Sequence, residues 1–121
     1  VSNVQLGKED EGLAKHYKGK SLAEQNSFDL SWDILMSDNC KDLRAFIFAN
    51  KAELQRFRQV VVNVVLATDI FDKELNDLRK RRWNRAFSDH SINDLDFRDL
   101  RATVVIEHII QASDVCHTMQ H

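Results

Sequence analysis

An all-α fold, a compact multi-helix bundle, is predicted by three features of the sequence. The 121 residues contain no proline, where about six are expected at roughly 5% average usage, so long segments can run as unbroken helix. Two stretches carry helix-start patterns, Ser21-Leu22-Ala23-Glu24 and Asn50-Lys51-Ala52-Glu53. Downstream of the second, apolar residues recur at helical spacing over a length no strand reaches.

The elements follow in order. Ser21 to Glu24 has the S-x-x-E form of a capping box, in which hydroxyl and carboxylate satisfy orphan N–H groups, and Phe28, Leu30, Trp32, Ile34, Leu35 and Met36 follow. A helix is predicted over about 22 to 36. After Asn50, the residues Leu54, Phe57, Val60/Val61, Val64/Val65 and Thr68 keep helical register. The valine density would also suit a buried strand, but a pattern of about 18 residues exceeds the usual 4 to 8 of a strand. A third helix is predicted over 73 to 87, where Leu75, Leu78, Arg82 and Ala86 form a stripe beside the basic run Arg79-Lys80-Arg81-Arg82. Rotation of roughly 100° per residue spreads four consecutive cations around the axis, so the run reads as a solvated face rather than a phosphate site. The last helix is expected to start near Asp94 or Asp96 and to run through Phe97, Leu100, Val104, Val105, Ile109 and Ala112 to the chain end. Breaks are expected at Gly12, Gly19, Ser37-Asp38-Asn39, Asn50 and the polar stretch 88–96, and no repeat or low-complexity tract divides the chain. A single partial domain over 1–121 is expected.

Composition narrows the function. With 43% hydrophobic and 30% charged residues, 3 Gly and 2 Cys, collagen, disulfide-stapled mini-proteins and disordered linkers are excluded. Seventeen Lys+Arg against nineteen Asp+Glu gives a net charge of -2, without the basic excess that drives binding to nucleic acid or anionic lipid. No nucleic-acid partner is expected. The longest apolar run, from Val60 to Ala67, ends at Asp69, far short of the roughly 20 residues that cross a bilayer. The first residues show neither an initiator Met nor a basic-then-apolar signal order, so the chain reads as cut from something longer. Cys40 and Cys116 match no zinc or redox spacing and read as plain thiols of an intracellular protein.

Several polar residues could carry chemistry. Asp114, His117 and His121 stand at i, i+3 and i+7, which would place three metal-capable side chains on one helix face. Solvated polar residues near a terminus give the same spacing, so the triad alone does not define a metal site. His108, among Val104, Val105, Ile109 and Ile110, reads as a histidine at the core edge, hydrogen-bonded to its surroundings. Thr68 and Asp69 close an apolar helix, where polar groups need partners. Spacing leaves open whether Asp69 caps the next segment or supports a site. No G-x-S-x-G elbow or glycine-rich phosphate loop is present.

Taken in order, the segments resemble the class I cyclic-nucleotide phosphodiesterase catalytic domain over essentially the whole chain. Val1-Ser2-Asn3 with Leu6 resembles the stretch directly after that family's H-D-x-x-H-x-G metal block. Leu13-Ala14, Tyr17, Ser21 and Glu24 resemble its L-A-x-x-Y-x-x-x-S-x-x-E pattern. Val65-Leu66-Ala67-Thr68-Asp69 is the most specific match, to a V-L-A-T-D motif at the end of a long helix. Ile109-Ile110-Gln111-Ala112-Ser113-Asp114 is similar to the M-V-H-C-A-D segment, whose Asp is a metal ligand.

The resemblance implies metal-dependent hydrolysis of 3′,5′-cyclic nucleotides, cAMP or cGMP, to nucleoside 5′-monophosphates by a pair of divalent ions resembling a zinc and a magnesium site. It also implies roles for this chain's residues: Asp114 as a metal ligand, Glu24 and Thr68 as groups that hold waters of the metals, Asp69 as their support, and Ile70 in the nucleotide pocket. For Glu24 this role competes with the capping box. The chain departs from the family pattern at Gln25-Asn26-Ser27, where Asn-His-His usually follows the Glu, and at Val115-Cys116-His117-Thr118, where Leu-Ser-Asn-Pro usually follows the Asp. The family's H-N-x-x-H motif, its H-D block and its base-gripping glutamine lie outside the 121 residues. One ligating carboxylate cannot hold a metal pair, so the 121 residues alone are expected to be inactive. The alternative is a non-catalytic helical regulatory module that keeps the phosphodiesterase packing.

Overall fold

The computed structural model describes residues 2–88 and 95–119. Among them lie seven α-helices and no strand: α1 (Asn3–Glu9), α2 (Glu11–His16), α3 (Leu22–Met36), α4 (Lys41–Ile47), α5 (Lys51–Ala67), α6 (Lys73–Phe87) and α7 (Leu95–Val115). Short 3₁₀ turns cover Asp38–Cys40 and Cys116–Met119. The predicted all-α class is the observed one, with α3 and α6 at the predicted bounds and α7 beginning at Leu95. Most of the expected break at 88–96, and His121, lie outside the described residues.

Contacts gather the chain into two compact units, Val1–Leu66 and Ala67–His121. In the first, α1, α2 and α4 pack around α3. Leu22 is 1% exposed and sits against α1 at Gly7, where an added Cβ would stand 3.1 Å from its Cδ1. A bare backbone there lets the two helices approach closely, and burial of Leu22 contributes about 2 kcal/mol. Phe28 is also buried and stacks on Trp32, which stacks on Phe57 of α5 at 5.6 and 6.3 Å between centroids. The Arg58 guanidinium lies over the Phe28 and Trp32 rings, 5.2 and 5.6 Å from their centroids.

Helix ends in this unit are held by distinct devices. Gly12 does not break the chain as expected. It lies inside α2, and the break falls at Asp10, whose Oδ1 accepts from Leu13 N–H at 2.8 Å. The turn before α3 uses left-handed backbone at Lys18, Gly19 and Ser21, with φ of 55°, 72° and 41°. The last carbonyls of α3 are gripped from α4, where Arg44 Nη1 donates to Leu35 O and Ser37 O. At α5, Asn50 Oδ1 accepts from Glu53 N–H at 3.0 Å, and Glu53 Oε2 accepts from Ala49 N–H at 2.7 Å, a reciprocal cap of the kind its sequence predicts.

In the second unit α6 packs along α7. Small side chains fill the interior: Ala67, Ala86 and Val104 are at most 1% exposed. Polar side chains share this interior, and three of them, Asp69, Arg79 and Glu107, are buried. The predicted apolar stripe on α6 is corrected in part, because Leu78 is 44% exposed and Arg79 takes the inward position. The basic run is divided by the helical twist. Arg79 is buried, Arg82 is half-buried on Glu107 with Nη1 2.7 Å from Oε1, and Lys80 and Arg81 are exposed. The solvated-face reading holds for the last two alone. No described helix is long and apolar enough to cross a membrane.

Candidate functional site

The turn after α5 is the most highly organised polar region. Ala67 is buried and Thr68 half-buried as α5 ends. Asp69, 5% exposed, points its Oδ1 at two main-chain donors, Phe71 N–H at 3.2 Å and Asp72 N–H at 3.3 Å, while Ile70 N–H returns to Thr68 O at 3.0 Å. Asp72 then caps α6, its Oδ1 accepting from Leu75 N–H at 3.0 Å. Two side chains from the first turns of α6 reach back to the turn: Asn76 Nδ2 donates to Ile70 O at 2.7 Å and Arg79 Nη2 to Asp69 O at 3.1 Å. Arg79 Nη2 also meets Asn76 Oδ1 at 2.6 Å, so the two side chains act together. Ile70 and Phe71 are thereby held at the surface, 38% and 88% exposed.

Glu24 occupies the first turn of α3, and the expected capping box does not form there. Ser21 stands in the left-handed region (φ 41°, ψ 51°) and its side chain makes no capping bond. Its orientation is wrong for a cap, because the extended backbone that aims a capping hydroxyl at the helix amides is absent. Asn3 of α1 does that work instead: its Oδ1 accepts from Ala23 N–H and its Nδ2 donates to Glu24 Oε2, both at 2.9 Å. The carboxylate of Glu24 is thereby tied to the first residue of α1.

Asp114 lies exposed in the last turn of α7. Around it the polar side chains fold back on the helix carbonyls: Ser113 Oγ donates to Ile109 O at 2.8 Å and Cys116 Sγ to Ser113 O at 3.0 Å. His117 Nδ1 lies 2.9 Å from Asp114 O, an acceptor, so the ring joins the backbone of Asp114 and not its carboxylate. No group of three or more His, Cys, Asp or Glu among the described residues could hold a metal ion. Of the residues spaced along that face, His117 is turned to the backbone of Asp114, and His121 lies outside the described residues. A lone exposed carboxylate fits one ligand position of a metal whose other ligands come from elsewhere.

His108 meets its expectation of a hydrogen-bonded partner, Nδ1 lying 2.7 Å from Val104 O, although it is exposed and its ring rests on Trp83 at 4.4 Å. Cys40 and Cys116 are free thiols. A shallow cleft in the first unit, lined by Gln25, Phe28, Asp29, Arg58, Val62, Val65 and Leu66, contains none of the residues assigned a role by resemblance. Nothing in the sequence pattern singles out Asn3, Asn76 and Arg79 as parts of these arrangements. Asn3 and Arg79 act through contacts across 21 and 10 positions, which helical periodicity does not encode.

The sequence pattern of the 3′5′-cyclic nucleotide phosphodiesterase family matches residues 1–121. The chain belongs to that family, whose members are phosphodiesterases that generally use divalent metals. A comparison with curated protein sequences finds no match.

Proposed function

We propose that this chain is the central part of a catalytic domain that hydrolyses 3′,5′-cyclic nucleotides, cAMP or cGMP, to nucleoside 5′-monophosphates in intracellular signalling. The observation that carries the reading is the family match over all 121 residues. Asp114 would supply a carboxylate to a site for two divalent ions, with Zn²⁺ and Mg²⁺ the pair suited to borderline and hard ligands. Bound there, such ions supply Lewis-acid activation of water and neutralise charge on the phosphate.

The residues of this chain then divide the remaining work. Glu24 and Thr68 orient water by accepting and donating hydrogen bonds, and Ile70 offers an apolar edge to the nucleotide. The carboxylate of Asp69 is engaged by main-chain donors, so its contribution is to fix the turn that carries Thr68 and Ile70. One ligating carboxylate does not retain a metal pair, so the 121 residues alone are inactive. The test is turnover of cAMP and cGMP by this piece with Mg²⁺ and with chelator. Robust chelator-sensitive hydrolysis by the piece would contradict its inactivity while leaving the phosphodiesterase assignment standing.

A further inference from the structure

We propose that Asn3 is a positioning residue for Glu24. The inference rests on the reading of Glu24 given above and goes beyond it by naming what holds that carboxylate in place. The Asn3 amide has two faces and both are engaged, Oδ1 by Ala23 N–H and Nδ2 by Glu24 Oε2, each at 2.9 Å. Only one amide orientation serves both partners, because a main-chain N–H needs an acceptor and a carboxylate needs a donor. Asn3 is half-buried at the first residue of α1, and α1 is itself seated close against Leu22 through Gly7. The donor that meets Glu24 is thus anchored at its other end to the start of the helix that carries Glu24. A carboxylate met by an anchored donor loses rotamers before substrate arrives, and a group that orients water gains by that loss.

A purely structural role, capping α3, makes a different forecast for one substitution. Asn3→Asp keeps an acceptor for Ala23 N–H but replaces the donor facing Glu24 with a second carboxylate. Tested in the full-length protein supplied with its metals, Asn3→Asp is expected to lower kcat for cyclic-nucleotide hydrolysis about tenfold or more, with KM and melting temperature close to wild type. In a Glu24→Gln background, itself impaired, the same substitution is expected to cost no further turnover, since the amide introduced at position 24 can donate to the new carboxylate. Unchanged kcat in Asn3→Asp beside an impaired Glu24→Gln would overturn the inference and leave the role of Glu24 standing. Full activity of Glu24→Gln would overturn both. A loss in Asn3→Asp that follows a drop in melting temperature and persists undiminished in the double variant would overturn the inference by assigning Asn3 to folding alone.

Discussion

Arg79 donates from Nη2 to the main-chain carbonyl of Asp69, ten positions earlier, and both residues are buried. A guanidinium is costly to bury without acceptors. Here it closes the turn between α5 and α6 and takes Asn76 as a second partner. The four-residue basic run is therefore not one feature. One of its members is part of the interior, and the neighbouring Lys80 is surface.

Arg79→Met is accordingly expected to lower unfolding stability by about 2 kcal/mol, the cost of stranding buried polar groups. Lys80→Met is expected to stay within about 0.5 kcal/mol. Denaturant midpoints of the two variants check this, and equal losses would contradict it.

The pair Arg82–Glu107 makes a sharper forecast. Glu107 has a 3% exposed side chain against 28% for Arg82, and its Oε2 is buried with no hydrogen-bond partner among the described residues. Arg82→Ala leaves that carboxylate buried and unpaired, at a cost of about 3 kcal/mol. Replacing both, Arg82→Met with Glu107→Leu, is expected to cost less than the single change. A double-mutant cycle on thermal stability measures the difference.

Tyr17 ties α2's end to α3, its Oη donating to Asp29 Oδ2 at 2.8 Å. That hydrogen bond, with smaller help from burial and the charges of Asp29 and Asp33, holds the phenol above its ordinary value of 10.0. A raised folded value means the stabilisation is present in full below the unfolded pKa near 10 and is lost as pH rises through the folded one. Melting temperature is expected to fall with alkaline pH above about 10 less steeply in Tyr17→Phe than in wild type. Identical slopes would remove Tyr17 from the account.

Two sequence patterns of the same form behave differently at the starts of α3 and α5. Asn50 caps α5 with Glu53 answering, so Asn50→Ala is expected to cost about 1 kcal/mol. Circular dichroism through a thermal ramp is sufficient to see it, and an unchanged transition would count against the cap.

That contrast also marks how far the sequence could be read. Helix positions were legible because Leu54, Phe57, Val61 and Val65 repeat on one face and because no proline interrupts them, and α3 and α6 fall where capping and stripe patterns put them. The short helices α1, α2 and α4 were not legible, since each spans 6 or 7 residues, too few to build a periodic pattern or to be stable outside their packing. Asp69 and Glu24 stand out in the sequence, by pattern and by resemblance, but their partners do not. Whether Ser21 or Asn3 caps α3 is decided by a left-handed turn at 18–21 and a close approach at Gly7, neither of which S-x-x-E encodes. The inward turn of Arg79 is hidden because charge alone suggests solvent, whereas the carbonyl of Asp69 and the amide oxygen of Asn76 supply acceptors inside.

The most direct test of the account replaces Asp114 by Asn in the full-length protein and follows cAMP and cGMP hydrolysis with Mg²⁺ and with chelator. Exposed in the last turn of α7, Asp114 can be changed without disturbing the interior, so the fold is expected to survive by circular dichroism. Chelator-sensitive turnover is expected in the wild type, with a loss on the order of a hundredfold in the variant. Equal turnover by the two would contradict the placement of Asp114 in the metal site, and no turnover by a folded, metal-supplied wild type would contradict the enzyme itself and favour a regulatory module with the same packing.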